Sequence, residues 1–207
     1  MRNQRMFPAL QFMNVPNGLT TLSIITGFAS FILLVENALP WAFTCYAFTV
    51  LLDRMDGIAA RRLGQSSPLG GQLDSLADAV NFCLYPPLFI WMLQEQALPI
   101  LPCLLLYVGA GVWRLAYFNI AGMEETERGA YFTGVPTTVC ASWFIIVYAL
   151  LHACGANSAL QAIVWSVYFL LAAVLMLSSI PYAKNGIATK LLYLLIPGSV
   201  VLIWVVV

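Results

Sequence analysis

The sequence predicts an all-α protein: a polytopic transmembrane helix bundle with a six-helix core and one extra C-terminal span. The first observation is composition, because 61% of the 207 residues are apolar and only 9% are charged, far from the averages of soluble proteins. The second is that the apolar residues fall into stretches long enough to cross a bilayer. The third is the position of the basic residues, which separates the connections into two classes.

The apolar stretches are seven in number, and the connections between them are short. A membrane-spanning helix needs roughly 20 predominantly apolar residues. The candidate spans cover residues 18–36, 39–60, 71–94, 98–120, 132–152, 160–179 and 188–206. Because little chain remains for a soluble domain, we interpret residues 1–207 as one integral membrane domain.

The segment before the first span, residues 1–16, is basic and partly apolar, so we expect it to lie along the membrane interface. Pro16 is expected to begin the first helix, with Asn17 capping its exposed N–H groups. No small-residue cleavage site follows the first apolar run, so this span is expected to be retained and not removed as a signal peptide.

The basic residues predict the orientation of the chain in the membrane. When the seven spans are threaded alternately, all nine bases fall on or near the side of the N-terminus, and the connections on the other face contain none. By the positive-inside rule, the N-terminus is cytoplasmic and the C-terminus lies outside. We therefore expect a multi-pass protein of the cytoplasmic (inner) membrane. The nine are Arg2, Arg5, Arg54, Arg61, Arg62, Arg114, Arg128, Lys184 and Lys190.

One segment departs from the apolar character of the chain. Residues 53–78 read DRMDGIAARRLGQSSPLGGQLDSLAD and contain Asp53, Asp56, Asp74 and Asp78. Ionisable side chains inside a membrane are costly and mark functional sites by default. The four aspartates therefore predict a site between the second and third spans.

Helix geometry brings these aspartates together. The second span runs toward the cytoplasmic side and the third returns from it, with a rise of about 1.5 Å per residue in each. Asp53 then comes level with Asp78, and Asp56 comes level with Asp74. Spacings of i,i+3 and i,i+4 keep each pair on one helix face. We expect the four carboxylates to converge near the cytoplasmic surface of the bilayer.

Four converging carboxylates indicate a cation site. They cannot all stay ionised unaided, so either some are protonated or cations bind between them. Hard oxygen ligands select Mg²⁺, Mn²⁺ or Ca²⁺ over Zn²⁺, and two divalent ions would neutralise all four charges. Gly57 leaves room for a phosphate beside Asp56, and Arg61 follows one turn later to grip phosphate oxygens. Asp78 fits a ligand, a base or both. The pattern favours a phosphate-bearing lipid substrate.

Two non-catalytic interpretations remain open for the same residues. The acids could form ion pairs with Arg54, Arg61 and Arg62 and so hold two helices together. Intramembrane acids also form proton or cation pathways, and the protein would then be a non-enzymatic carrier. Arg54 itself is expected to point away from the face that carries Asp53 and Asp56.

The complete spacing, D-x2-D-G-x2-A-R-x8-G-x3-D-x3-D, resembles the signature of the CDP-alcohol phosphatidyltransferases, integral membrane enzymes of phospholipid synthesis. The segment PNGLTTL at 16–22 is similar to the element that opens the first span in that family. Four further segments resemble the phosphatidylserine synthase (CDP-diacylglycerol–serine O-phosphatidyltransferase) branch. These are LDSLAD (73–78), RLAYFN (114–119), YFTGVP (131–136) and LMLSSIPYAK (175–184).

The resemblance implies transfer of a phosphatidyl group from CDP-diacylglycerol to the hydroxyl of L-serine, giving phosphatidylserine and CMP. It implies that two Mg²⁺ or Mn²⁺ ions are held by Asp53, Asp56, Asp74 and Asp78, with Asp78 also acting as general base. The implied CDP-lipid-binding residues are Asn17, Thr20, Gly57, Arg61 and Ser67. The implied assembly is a homodimer in contact with membrane lipid, and no nucleic-acid partner is expected.

The acceptor alcohol depends on residues outside the aspartate signature. Asn81, Arg114 and Asn119 are expected to contact it, with Arg114 pairing with the serine carboxylate or, alternatively, anchoring a helix end. The chain departs from the branch pattern at Asn81, at Tyr117 and at Thr137–Thr138. Glycerol phosphate, inositol phosphate and choline are the alternative acceptors. Intramembrane prenyltransferases also use aspartates and Mg²⁺, but their two motifs lie far apart along the chain.

Overall fold

The computed structural model describes residues 8–95, 97–122, 124–126, 129–183 and 186–207. The described chain is almost entirely helical, and the only strands in these ranges are three short ones. The helices are α1 (Val15–Val35), α2 (Leu39–Arg62), α3 (Pro68–Asp78), α4 (Tyr85–Leu93), α5 (Leu101–Ala121), α6 (Thr137–Ala153), α7 (Ser158–Leu177) and α8 (Ile187–Val206). The strands are β1 (Glu124–Thr126), β2 (Gly129–Thr133) and β3 (Pro181–Ala183).

Five helical segments of the described chain are long and apolar enough to cross a membrane, so the chain is a multi-pass membrane protein. Two predicted spans fall outside that group. One is α2, which carries the charged signature, and the other is α6, with only 17 residues. The five segments are Val15–Val35, Pro68–Leu93, Leu98–Ala121, Ser158–Leu177 and Thr189–Val206.

A small antiparallel sheet, in the order β1-β2-β3, is an addition to the predicted all-α fold. The predicted span 132–152 was wrong at its start, because Tyr131 to Thr133 pair with β3 and α6 begins only at Thr137. Gly134 follows the strand at φ 75°, and a Cβ there would lie 2.5 Å from the Met176 carbonyl oxygen. Only glycine combines that conformation with so close an approach at little cost. The connection is therefore fixed against the end of α7.

The start of α1 also differs from the prediction. The capping residue is Asn14, whose side-chain oxygen accepts a hydrogen bond from the Asn17 N–H at 2.9 Å. Pro16 lies in the first turn of the helix. N–H groups there have no hydrogen-bond partner within the helix, so the missing N–H of proline costs no hydrogen bond. In the segment predicted to be interfacial, Pro8–Phe12 forms a 3₁₀ turn with Leu10 and Phe12 exposed. Residues 1–7 lie outside the described ranges, as do Arg128 and Lys184.

The third span is one continuous helical segment, Pro68–Leu93, with a π-helical stretch at Ala79–Leu84 between α3 and α4. A π stretch leaves carbonyl groups out of the regular α-helical ladder. Two buried tyrosines satisfy them: Tyr46 donates to the Asn81 carbonyl and Tyr107 to the Phe82 carbonyl, both at 2.9 Å. The stretch begins immediately after Asp78, so this packing fixes the helix at the predicted site.

An aromatic cluster joins α2, α4 and α6 in the core. The rings of Phe43, Phe89 and Phe144 are fully buried, with centroids 5.5 to 5.8 Å apart. Each such aromatic pair contributes roughly 0.5–1.5 kcal/mol of stabilising free energy beyond that from the burial of its surface area. The cluster holds together the helices that surround the site.

The C-terminal helix α8 packs on the body of the chain along its length. Ile196 and Ile203 belong to the main core. Near the helix end, the Trp204 indole N–H donates to Thr44 at 3.0 Å, and its ring meets that of Trp41 edge-on at 4.9 Å. The predicted extra span is therefore an integral part of this fold.

Close packing between α5 and the π stretch leads to a first prediction, that Gly111→Ala will destabilise the protein. The new Cβ would lie 2.5 Å from the Cys83 sulfur, which is fully buried, and overpacking of this kind costs about 1–3 kcal/mol. Gly109→Ala, two residues earlier on α5, meets nothing within 4 Å and should match or exceed the wild type in stability. Thermal unfolding in detergent measures both variants. Equal melting temperatures would contradict this view of the α5 contact.

Candidate active site

The four aspartates lie together at the junction of α2 and α3. One carboxylate oxygen from each of Asp53, Asp56 and Asp74 lies within 4.8 Å of the other two. Asp78 contacts Asp53 directly through its side chain. The predicted convergence is confirmed for Asp53, Asp56 and Asp74, and Asp78 lies beside this group without belonging to it.

Two cavities meet at this cluster. The first has a volume of about 180 Å³ and lies between α1, α2 and α3. The second has a volume of about 360 Å³ and is bounded by α2, α3, α5, α6 and α8. Asp56, Gly57 and Asp74 line both cavities and form their common wall. Asp53 and Asp78 face only the second. A ligand that occupies both cavities would therefore cross the wall at Gly57.

The first cavity is lined by four of the residues predicted to bind the CDP-lipid: Asn17, Thr20, Gly57 and Ser67. Asn17 donates to the Phe12 carbonyl at 2.8 Å, and the Ser67 hydroxyl caps α3 by accepting from the Gly70 N–H at 3.0 Å. The Thr20 hydroxyl donates to an Asp56 carboxylate oxygen at 2.6 Å, a contact that the sequence did not predict. This bond orients the carboxylate, so Thr20 belongs to the aspartate cluster as well as to the cavity.

Gly57 on the common wall and Arg61, which lines only the second cavity, lie one helical turn apart on α2, as their spacing predicts. A Cβ added at Gly57 would meet only the Arg61 guanidinium, at 3.4 Å. The backbone of α2 is therefore bare at this point, with a cation directly above it. That arrangement suits an anionic group which must approach a helix closely.

The second cavity contains buried polar atoms without protein partners. Asp78 Oδ1, Arg114 Nε and Thr137 Oγ1 are all buried and lack a hydrogen-bond partner in the described structure. All three residues line this cavity, and the Arg114 side chain is only 5% exposed. Unsatisfied buried polar groups are rare and destabilising, so their convergence indicates a site for a polar ligand.

Among the described residues, the arginines near the cluster do not neutralise it by ion pairing. Within the described ranges, no salt bridge joins Arg54, Arg61 or Arg114 to Asp53, Asp56 or Asp78. The interpretation of the motif as a set of structural ion pairs therefore has no support here. Arg54 packs on Tyr193, with its guanidinium carbon 4.1 Å from the ring centroid. Contrary to expectation, Arg54 faces the second cavity.

Two predicted acceptor contacts lie outside the cavity lining. Asn81 is fully buried toward α1, where its amide donates to Ser23 at 3.2 Å and its oxygen lies against Gly27. Asn119 is exposed and accepts from the Ser75 hydroxyl at 2.7 Å. The geometry thus indicates helix packing for Asn81 and a link between α3 and α5 for Asn119.

The cluster fits the divalent metal implied by the signature. Its donors are carboxylate oxygens, which Mg²⁺ and Mn²⁺ prefer. Asp78 retains an unpartnered oxygen beside the same group. The contact between the Asp53 and Asp78 carboxyl groups also requires a shared proton or a cation. The residues present therefore suit an ion cluster held by α2 and α3.

Several cavity residues could not be anticipated from the signature. Thr138 stands beside Thr137, where the sequence departs from the branch pattern, and that departure was the only signal. Tyr182 lies in β3, and Thr189 and Tyr193 lie in α8. Tyr182 falls in the segment 175–184 that resembles the family branch. No spacing rule connects Thr189 and Tyr193 to a motif so much earlier in the chain, and only the packing of α8 brings those two residues to the site.

Comparison with known proteins agrees with this geometry. A family model described as CDP-alcohol phosphatidyltransferase matches residues 13–183. The CDP-diacylglycerol–serine O-phosphatidyltransferase of Mycobacterium leprae (strain TN) is 33% identical over 153 residues, covering 72% of this chain and 51% of that protein. The archaetidylserine synthase of Methanothermobacter thermautotrophicus is 29% identical over 177 residues, covering 84% of this chain and 71% of that protein.

A further relative is the CDP-diacylglycerol–serine O-phosphatidyltransferase of Methanocaldococcus jannaschii, which is 27% identical over 179 residues. That match covers 86% of this chain and 78% of the relative. The chain spans about half the length of the mycobacterial relatives it matches. The family match covers most of the chain and includes all four aspartates, so this chain belongs to the CDP-alcohol phosphatidyltransferase family.

Proposed function

We propose that this chain transfers a phosphatidyl group from CDP-diacylglycerol to the hydroxyl of L-serine, giving phosphatidylserine and CMP. The observation that carries the proposal is the pair of cavities joined at Asp56, Gly57 and Asp74, with Asp78 facing only the second. Two substrates can then meet over one wall. The names of the relatives, which specify serine, support serine as the acceptor.

The nucleotide end of the lipid would occupy the first cavity. Asn17 and Ser67 line it near the start of α1 and α3, where they present polar groups to the CDP part. The diphosphate would lie over the bare backbone at Gly57, within reach of the Arg61 guanidinium. Arg61 would bind phosphate oxygens of the CMP group more strongly as negative charge develops on them, and so would favour departure of the nucleotide.

Asp53, Asp56, Asp74 and Asp78 would hold two Mg²⁺ or Mn²⁺ ions. When bound, such ions stabilise negative charge on the reacting phosphate oxygens. The Thr20 hydroxyl, bonded to Asp56, keeps one of these carboxylates in a fixed orientation.

The acceptor would enter the second cavity. Asp78 has a buried oxygen without a partner there and takes the proton of the serine hydroxyl. The serine oxygen forms a bond to the phosphorus that carries the diacylglycerol, and the bond from that phosphorus to the CMP oxygen breaks. Arg114 supplies an unpartnered Nε and pairs with the serine carboxylate.

The membrane arrangement belongs to the same proposal. Seven spans, with α2 and α6 crossing beside the five more apolar segments, put the N-terminus and the site on the cytoplasmic side of the inner membrane. CDP-diacylglycerol then enters sideways with its acyl chains in lipid. A homodimer remains the expected assembly, as the family resemblance implies.

The experiment is CMP release from labelled CDP-diacylglycerol by the purified protein in detergent, with a panel of acceptors. We expect release to require Mg²⁺ or Mn²⁺ and to be at least about tenfold faster with serine than with glycerol phosphate, inositol phosphate or choline. Efficient use of one of the other acceptors would disprove the choice of serine while leaving the transfer chemistry in place. Absence of release with every acceptor would argue for a carrier.

A further inference from the structure

We propose that α8 forms part of the acceptor site and that Arg54, positioned by Tyr193 of that helix, binds the carboxylate of the acceptor. This inference rests on the proposed transfer to an amino acid and identifies a further specificity-determining residue for it. Arg54 would contact the substrate directly. Tyr193 would act through Arg54.

The helix lies outside the segment that the family model matches, because that match ends at residue 183 and α8 begins at Ile187. Even so, Thr189 and Tyr193 line the second cavity. The Thr189 hydroxyl is hydrogen-bonded to the Tyr182 hydroxyl at 3.0 Å, which ties α8 to β3. On the same helix, Leu192 is fully buried in a cluster with residues of α6. The helix is therefore a fixed wall of the cavity and not a peripheral anchor.

The position of the Arg54 side chain needs a physical cause. Arg54 directly follows Asp53 in the motif, and within the described residues no salt bridge joins it to Asp53, Asp56 or Asp78. Its guanidinium instead lies on the Tyr193 ring, 4.1 Å from the centroid. A stacked guanidinium is held by the attraction between cation and π-system, and its edge N–H groups stay available to bind an anion. Tyr193 thus holds the Arg54 guanidinium at the wall of the second cavity.

The location of Arg54 indicates which of the two substrates it would bind. Arg54 lines the second cavity and is absent from the lining of the first, so it is on the side of Asp78 and away from the nucleotide. Arg114, on α5, lines the same cavity with an unpartnered Nε. Two arginines from different helices therefore face the space that holds the acceptor. A carboxylate bound between them would leave the acceptor hydroxyl directed toward Asp78.

The test is steady-state kinetics on the full chain in detergent, with separate KM values for serine and for CDP-diacylglycerol. Tyr193→Leu removes the ring and should raise the KM for serine about tenfold, with kcat and the KM for CDP-diacylglycerol within about twofold of wild type. Tyr193→Phe keeps the ring but loses the hydroxyl, which also interacts with Arg54, so its KM for serine should rise clearly less than that of Tyr193→Leu. Leu194→Ala is the matched control, because the adjacent Leu194 side chain is 74% exposed.

A double-mutant cycle separates positioning from packing. Arg54→Gln should raise the KM for serine at least as much as Tyr193→Leu, and adding Tyr193→Leu to Arg54→Gln should change it no further. The inference would be overturned if the two substitutions raised the KM for serine additively. It would also be overturned if Tyr193→Phe and Tyr193→Leu raised that KM equally. A rise confined to the KM for CDP-diacylglycerol would overturn it as well.

A binding measurement gives an independent readout. Serine should raise the melting temperature of the wild-type protein and of Tyr193→Phe, and should do so far less for Tyr193→Leu. Ethanolamine, which is serine without the carboxylate, should give no difference between these variants. Failure of the wild type to use serine would refute the proposed function and this inference together. Wild-type use of serine with unaltered Tyr193→Leu kinetics would refute this inference alone.

Discussion

Asp78→Asn is expected to lower kcat about 100- to 10,000-fold, the range associated with loss of a general base. Asparagine has nearly the same shape, but its amide cannot accept the proton of the acceptor hydroxyl. The wild-type carboxylate has a buried oxygen with no partner and faces only the second cavity. CMP release at saturating serine and CDP-diacylglycerol measures the effect.

The same substitution should not unfold the protein. Asp78 lies in direct contact with Asp53, and an amide in place of one carboxyl group can donate to the other without needing a shared proton or a cation. We expect a melting temperature equal to or above that of the wild type. Glu36→Gln is the control, since Glu36 is an exposed residue at the end of α1 and takes no part in the site. Full activity in Asp78→Asn would show that the base lies elsewhere.

Asp56→Asn should lower activity at least about 100-fold at a fixed metal concentration and raise the metal concentration needed for half-maximal rate. Asp56 belongs to the three-carboxylate group within 4.8 Å and to the wall shared by both cavities. The amide oxygen of asparagine can still accept from Thr20, so the side chain should keep its orientation while losing its charge. Weaker metal binding is thus the expected cause of the loss.

Two measurements check that cause. Mn²⁺ binding, followed by calorimetry or electron paramagnetic resonance, should weaken in Asp56→Asn in parallel with activity. Thr20→Val leaves the carboxylate intact but removes its 2.6 Å hydrogen bond, together with the local bond from the same hydroxyl to the Pro16 carbonyl, so we expect an intermediate loss of activity of about 10- to 100-fold. An unchanged metal dependence in Asp56→Asn would remove Asp56 from the ligand set.

The aspartate cluster was predictable because the geometry of an α-helix is regular. Carboxylates at i,i+3 and i,i+4 spacing on two consecutive antiparallel helices can face one another, and the proximity of Asp53, Asp56 and Asp74 follows from that rule. Gly57 and Arg61 are likewise related by a single helical turn. These relations depend only on the rise and twist of one pair of helices.

Asn81 shows where that regularity ends. The family resemblance implies that it contacts the acceptor, because it stands where the chain departs from the branch pattern after the last aspartate. The π stretch at Ala79–Leu84 changes the number of residues per turn, so the side chains beyond Asp78 point in other directions than an α-helix would give them. Asn81 consequently packs against Ser23 and Gly27 of α1. Nothing in the local sequence indicates a π stretch, because tertiary contacts of its carbonyl groups support it.

Composition and helical periodicity are local properties, so the membrane class, the facing aspartates and the family resemblance could all be read from the chain without its fold. The enclosure of the second cavity depends instead on tertiary packing. Thr137, Thr189 and Tyr193 reach it through the long-range packing of α6 and α8, and Arg54 turns toward it because a ring from α8 lies beneath its guanidinium. Such contacts join residues far apart in the chain, where no periodic rule applies.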